Sequence, residues 1–340
     1  MADIDIRIAG KAGRITLNRP KALNALSYEM ALAIEAALDE WATDPSVELV
    51  IIDAAGDKAF CAGGDIQEMY DTAKAGDYQY GRRFWRDEYR MNAKLFNFPK
   101  PYVAFMQGFT MGGGVGISCH GSHRIVCENS QIAMPECGIG LVPDVGGSLL
   151  LARAPGHLGE YLGTTAARMD AGNAIYAGFA DYYIPRAAWP ALIETLETGE
   201  LGAIDAAALP APDSSLQAEQ ALIDEAFFGT TARDILRGMS GSDWEQRLEK
   251  SLRRNCPLSV ECTLELIRRV RGLDTIELAL GMEYRFTYRS ASEGDFIEGI
   301  RAAIIDKDRK PNWTPATLED VTPMNISKML MPLGADALKL

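Results

Sequence analysis

At 340 residues the chain is long enough for one large domain or for a core with a smaller appendage. A net charge of -13 excludes a protein whose main task is gripping nucleic acid or an anionic membrane, while 47% hydrophobic and 24% charged residues is an ordinary globular balance. No apolar run approaches the roughly twenty residues that a bilayer crossing needs, so no membrane span is expected.

Ile4, Ile6 and Ile8 alternate with polar residues, Gly10-Lys-Ala-Gly13 turns the chain, and Arg14-Ile-Thr-Leu17 runs back as an opening β-hairpin. Asn18-Arg-Pro20 breaks the strand. A helix is then expected from an N-cap at Ser27 to Trp41, stopped by Asp44-Pro45. The apolar run Val47–Asp53 predicts a strand covered on both faces. Lys58–Asp65 reads as a loop with a helix from Ile66, and the aromatic stretch Ala73–Asn97 reads as helical. Pro101–Gln107 is a second buried strand, delivering the chain to a triple glycine, and His123–Glu128 is a third, shorter one. Strand, glycine loop and helix recurring at short intervals predict α/β layering with right-handed crossovers.

The texture changes near residue 187 to Ala/Pro-rich sequence and then to helical periodicity. Helices are expected around Leu258–Val270, over Thr275–Ser290 and over Asp295–Ile305. Residues 1–190 therefore read as an α/β core and residues 191–340 as a mainly helical region packed on it. Six cysteines without a C-x-x-C pair predict reduced, buried thiols, and three histidines without metal-type spacing predict no zinc site. The start, Met1-Ala-Asp-Ile-Asp, shows no basic or apolar leader, so a cytoplasmic, simply prokaryotic address is expected.

The chemistry concentrates in three places. Two glycine loops, Ala62-Gly-Gly64 and Gly112-Gly-Gly114, each follow a strand and open a helix. Without Cβ atoms their N–H groups can approach a ligand closely, and one N–H from each can serve a single developing oxyanion, as on a thioester. Tight helix packing would also explain the glycines. Met134-Pro-Glu136 and Pro143-Asp144-Val-Gly-Gly147 then place two carboxylates in turns, a setting for acid–base chemistry. Ser118-Cys119-His120 is better read as core packing than as a nucleophile with its base, because sequence neighbours seldom face each other and no G-x-S-x-G elbow exists. The glycine segments fit neither G-x-G-x-x-G nor a P-loop.

Lys58-Ala-Phe-Cys-Ala-Gly-Gly-Asp-Ile66, Gly108-Phe-Thr-Met-Gly-Gly-Gly-Val-Gly116, Ala133-Met-Pro-Glu136 and Gly140-Leu-Val-Pro-Asp-Val-Gly-Gly147 resemble the crotonase (enoyl-CoA hydratase/isomerase) superfamily. Phe84-Trp-Arg-Asp-Glu-Tyr89, Met282-Glu-Tyr-Arg285 and Asp295-Phe-Ile-Glu-Gly-Ile-Arg-Ala302 are similar to its 3-hydroxyisobutyryl-CoA hydrolase branch. The resemblance implies a crotonase-like ββα spiral core with a C-terminal helical region. It implies hydrolysis of a short 3-hydroxyacyl-CoA, with Gly64 and Gly113 as oxyanion-hole donors and Glu136 and Asp144 as catalytic carboxylates. Glu88 is then expected to recognise the substrate hydroxyl. Lys21, Ala22 and Leu23, with Ala62, Gly63, Asp65, Ile66 and Gly112, are expected to line the CoA path.

Hydratases of the family use two glutamates, and one of them would fall at Gly116, which argues against alkene hydration. Hydration or isomerisation of a short enoyl-CoA is the alternative, and a non-catalytic CoA-binding paralogue the second. No cofactor or metal is expected, since CoA belongs to the substrate. The expected partner is an acyl-CoA, with neither nucleic acid nor membrane. Homo-oligomerisation through the C-terminal helices is open, because that half can instead fold back over its own active site.

Overall fold

The computed structural model describes residues 2–340. Nine strands appear in chain order: β1 Ile4–Ala9, β2 Ala12–Leu17, β3 Leu49–Ala54, β4 Ala59–Cys61, β5 Tyr102–Met106, β6 Phe109–Met111, β7 His123–Val126, β8 Gln131–Ala133 and β9 Tyr182–Tyr183. The expected hairpin is tighter than the sequence implied: Ala9 lies opposite Ala12, so Gly10 and Lys11 alone make the turn. From β2 onward every pairing in the larger sheet is parallel, in the order β1-β2-β3-β5-β7-β9. The short strands form a second parallel sheet, β4-β6-β8. Each of β3, β5 and β7 is thus followed within a few residues by a strand of the second sheet, which is the ββα repeat of the expected spiral core.

The helices are α1 Tyr28–Thr43, α2 Gln67–Lys74, α3 Gln79–Phe96, α4 Gly113–Gly116, α5 Gly147–Arg153, α6 Leu158–Thr165, α7 Ala171–Tyr176 and α8 Trp189–Leu196. They continue with α9 Ala203–Ala207, α10 Ser215–Ala226, α11 Ala232–Gly238, α12 Asp243–Arg254, α13 Pro257–Val270, α14 Ile276–Glu293, α15 Phe296–Ile300 and α16 Pro323–Leu330. Ser27 caps α1 as expected, its hydroxyl accepting the Met30 N–H at 3.2 Å. The single helical stretch expected over Ala73–Asn97 is interrupted: α2 stops at Lys74, Gly76 takes a left-handed φ of 85°, and α3 starts at Gln79. The loop expected at Lys58–Asp65 contains β4, too short to show any periodicity. α15 carries on as a π-helical turn over Arg301–Ile305, which completes the helix expected there.

The chain divides into two compact units. A β-rich unit comprises the segment ending at Asp65, Arg90–Ala133 and Arg168–Ala218 and contains both sheets, α1, α4 and α7 to α9. Alternate residues of its strands, Leu49 and Ile51, Val103 and Phe105, Ile125 and Cys127, point to one face and pack on Trp189, Leu192 and Leu196 of α8. Their neighbours Val50, Ile52, Ala104 and Met106 are equally buried, so the apolar runs follow from a sheet covered on both faces. A helical unit comprises Ile66–Tyr89, Met134–Ala167 and Glu219–Leu340, with α13 packed on α5 and α6, and α14 on α16. No described helix is long and apolar enough to cross a membrane.

All six cysteines are buried thiols outside any disulfide. Burial pushes the Cys119 thiol up to about 11 and that of Cys256 up to about 12, and drives Cys137 and Cys262 upward as well.

Candidate active site

In the β-rich unit, two loops that the sequence keeps forty residues apart are laced together. Ala62 N–H donates to Leu23 O at 3.0 Å, Leu26 N–H to Gly63 O at 2.9 Å, and Asp65 N–H to Leu26 O at 2.8 Å. Leu23 and Asn24 both sit at positive φ, 51° and 54°. Buried Asn24 pays back that strain: its amide donates to Ala55 O at 3.0 Å and Ala59 O at 2.9 Å while its oxygen accepts the Arg19 N–H at 2.8 Å. Asp65 pairs with Arg19 at 2.9 Å. Lys21 and Leu23, with Asn24 and Lys58, line a groove of about 500 Å³.

This lacing decides where the glycine N–H groups go. The bridge between Leu26 and Gly64 uses the atoms of Gly63 and Asp65, so the Gly64 N–H has no acceptor among the described residues. Gly113 opens α4, and its N–H likewise has none. Gly112 before it adopts φ 48°, ψ -117°, a conformation reserved for glycine. At Gly114 a Cβ would lie 2.3 Å from the Cys61 carbonyl oxygen, so α4 packs on β4 by backbone alone.

The carboxylates gather in the helical unit. Glu136 opens a 3-10 turn after Pro135, and Asp144 stands in a turn closed by Gly147 N–H to Asp144 O at 2.7 Å. Val145, at φ 53°, is a β-branched residue in the left-handed region, a strain of the order of 1–3 kcal/mol that the surroundings must hold. Beside this turn lies Glu283 of α14, fully buried. Its carboxyl accepts Gly146 N–H at 2.8 Å, Ser148 N–H at 3.0 Å and the Ser148 hydroxyl. From α3, buried Tyr89 donates its hydroxyl to Asp144 Oδ2 at 2.7 Å and lies 3.4 Å from Thr287 Oγ1. Glu88 precedes it; Glu88 Oε1 and Glu136 Oε2 are buried without a hydrogen-bond partner.

Burial raises the proton affinity of all four of these carboxyl groups, and neighbouring carboxylates add to it at Glu136, Glu88 and Glu283. Burial pushes Asp144 up to about 7, against the Tyr89 hydroxyl and a backbone hydrogen bond that pull it down. Glu283 is pushed up to about 8 by burial, opposed by its three donors. Glu136 rises well above the usual carboxylate range, from burial first and then the charges of Asp144, Glu283 and Glu88. Glu88 rises likewise, from burial and then Asp144. Among the described residues no group of three or more His, Cys, Asp or Glu is arranged to hold a metal ion.

The structure therefore brings together Glu88, Glu136 and Asp144 in the helical unit. Within the β-rich unit it joins Lys21–Leu23 to Ala62–Asp65 and puts Gly112 and Gly113 at the start of α4. Ile66 stands at the start of α2 in the helical unit. Ser118 is committed to the Gly114 carbonyl at 2.6 Å, and His120 meets the Phe96 ring edge-on, so that trio is core packing. Tyr89, Glu283, Ser148 and Asn24 carry site geometry that the sequence reading assigned to no one. Glu283 left a signal: it interrupts the stripe Ile276, Ala279, Leu280, Phe286 that α14 buries.

The model of the enoyl-CoA hydratase/isomerase family matches residues 12–330. The 3-hydroxyisobutyryl-CoA hydrolase of Rattus norvegicus is 39% identical over 99% of this chain and 91% of its own, and that of Homo sapiens 37% over 97% and 89%. Among solved structures, an enoyl-CoA hydratase from Rhodobacter sphaeroides has a TM-score of 0.95 at 53% identity, covering 100% of both chains. A carnitinyl-CoA dehydratase from Mycobacterium thermoresistibile has a TM-score of 0.94 at 38% identity over 98% of this chain and 97% of its own. Both hydrolase relatives are named as mitochondrial proteins, which overturns the cytoplasmic address expected from the N-terminus. With the ββα repeat, the two glycine loops and the buried carboxylates all present in one chain, the chain belongs to the enoyl-CoA hydratase/isomerase (crotonase) family, in its 3-hydroxyisobutyryl-CoA hydrolase branch.

Proposed function

We propose that the protein hydrolyses 3-hydroxyisobutyryl-CoA to the free hydroxy acid and CoA. The observation that carries this reading is the buried group of Glu88, Glu136 and Asp144, with Tyr89 directing its hydroxyl at Asp144. A buried group of carboxyls, all shifted above the usual carboxylate range and Asp144 to about 7, is suited to moving protons at pH 7. In this reading the N–H groups of Gly64 and Gly113 take the thioester oxygen as it gains charge, each worth roughly 10²–10³ in rate.

Two routes share those parts. In one, a Glu136 oxygen attacks the carbonyl carbon, the C–S bond breaks, CoA leaves as thiolate and water opens the mixed anhydride. In the other, Glu136 takes a proton from water, whose oxygen attacks directly. Asp144 receives or returns the proton in either case. In a single turnover in ¹⁸O-water, label found in Glu136 identifies an anhydride opened at the Glu136 carbon, since direct water attack labels only the product acid. Glu88 is assigned to the substrate hydroxyl, and the groove at Lys21 and Lys58 to the phosphate-bearing end of CoA. The reaction calls for no cofactor, and valine breakdown is the metabolic setting that would supply such a substrate.

The Rhodobacter sphaeroides structure, described as an enoyl-CoA hydratase, favours a second reading, addition of water across a double bond. Gly116 opposes it, since a glycine offers no second acid. The deciding assay follows thiol release from (S)-3-hydroxyisobutyryl-CoA and 3-hydroxypropionyl-CoA, with crotonyl-CoA as the hydration control. Thiol release that falls about 10²–10⁴-fold in Glu136→Gln supports the hydrolase; no release, with turnover of crotonyl-CoA, overturns it.

A further inference from the structure

Glu283 is the one member of the carboxyl group that the hydrolytic scheme does not use. It is also the best satisfied. Oε2 accepts the Gly146 N–H and Oε1 accepts both the N–H and the hydroxyl of Ser148, and the whole side chain is out of reach of water. These donors flank the far side of the turn whose near side is Asp144. Between them lies Val145, at a φ that a β-branched residue does not adopt unaided. Without Glu283 the strained turn would keep its Gly147-to-Asp144 hydrogen bond but lose the anchor on Gly146 and Ser148, and Asp144 would shift with it. A misplacement of about 1 Å in a catalytic group can cost about 100-fold in rate.

We propose that Glu283 is a positioning residue for the thioester reaction: by clamping Gly146 and Ser148 it fixes the Asp144 carboxyl against the Tyr89 hydroxyl. This rests on the role given to Asp144 in the hydrolytic reading. The titratable groups bearing on Glu283 are Asp144, Glu136 and Tyr89, and none of the four carboxyl groups is paired to a cation among the described residues. Glu283→Gln keeps the size and shape of the side chain. What changes is the lost acceptor: an amide can serve Ser148 or Gly146, but its NH₂ then faces the other donor.

The test compares wild type, Glu283→Gln, Ser148→Ala and Tyr89→Phe as folded, full-length enzymes, measuring kcat, KM and the pH dependence of kcat. Positioning predicts that Glu283→Gln lowers kcat by up to about 100-fold with KM near the wild-type value. Its acid limb moves to higher pH, in the direction of Tyr89→Phe, because Asp144 loses the hydroxyl that favours its ionised form. Ser148→Ala, which keeps its backbone N–H, shows the same shift at smaller size. An acid limb and kcat unchanged per mole of folded protein would overturn the proposal, as would a shift to lower pH. If Glu283→Gln does not fold, Ser148→Ala decides alone by the same criteria. Failure of the hydrolytic reading appears separately, in the wild type, as absence of thiol release; the limb is then read on hydration of crotonyl-CoA.

Discussion

At the scale of single residues, the proposed hydrolysis needs a carboxyl group that can lose its proton near neutrality while buried. Asp144 meets that need through two opposed effects, burial raising its pKa to about 7 and the Tyr89 hydroxyl holding it from going further. Thiol release should therefore climb through about pH 7 as Asp144 ionises. Removing the hydroxyl in Tyr89→Phe should move that limb upward by about one pH unit, the worth of a hydrogen bond to a charged group; a pH–rate profile of the two proteins checks it. The turns that hold Glu136 and Asp144 were legible in the sequence because Pro and Gly mark them. Tyr89 and Glu283 were quoted there only as parts of motifs. Nothing in a linear chain says that a hydroxyl on α3 and a carboxyl on α14 converge on one turn 140 residues before the second of them.

Secondary elements were legible in proportion to their length. α1, β3, β5, α13 and α14 carry enough residues for a period to show, and each lies close to where its pattern put it. The second sheet consists of strands only three residues long, below any period, and was missed entirely. Yet that sheet sets the two glycine loops, since β4 and β6 deliver the chain to Ala62-Gly-Gly64 and Gly112-Gly-Gly114. Gly114→Ala tests this dependence. The new Cβ, 2.3 Å from the Cys61 carbonyl, must push α4 off β4 and move the Gly113 N–H with it. We expect kcat to fall by roughly 10²–10³, the worth of one oxyanion donor, with Glu136 and Asp144 untouched. Steady-state kinetics with a melting curve will distinguish this from simple unfolding.

For the whole molecule, the clustered carboxyl groups tie stability to acidity. Asp144 and Glu283 bind protons more tightly folded than unfolded, where they would titrate near pH 4. Their protonated forms thus contribute stability that is complete below about pH 4 and is lost as the pH climbs through about 7 and 8. Asp144→Asn, permanently neutral, should melt several degrees above the wild type at pH 8 and show little difference at pH 5, while losing activity at both. Differential scanning calorimetry across that range measures it. The trade is the familiar one of a site kept reactive at the expense of the fold.

The six buried thiols bear on how any of this is measured. CoA release is followed with a disulfide that reacts with accessible thiolate, and each cysteine of this protein is both enclosed and, where its proton is affected, held more tightly than a free thiol. The native enzyme is consequently its own blank: reagent consumed in the absence of substrate counts molecules that have opened. One cuvette and one reagent then report turnover while substrate lasts and act as a stopwatch for unfolding once it is gone.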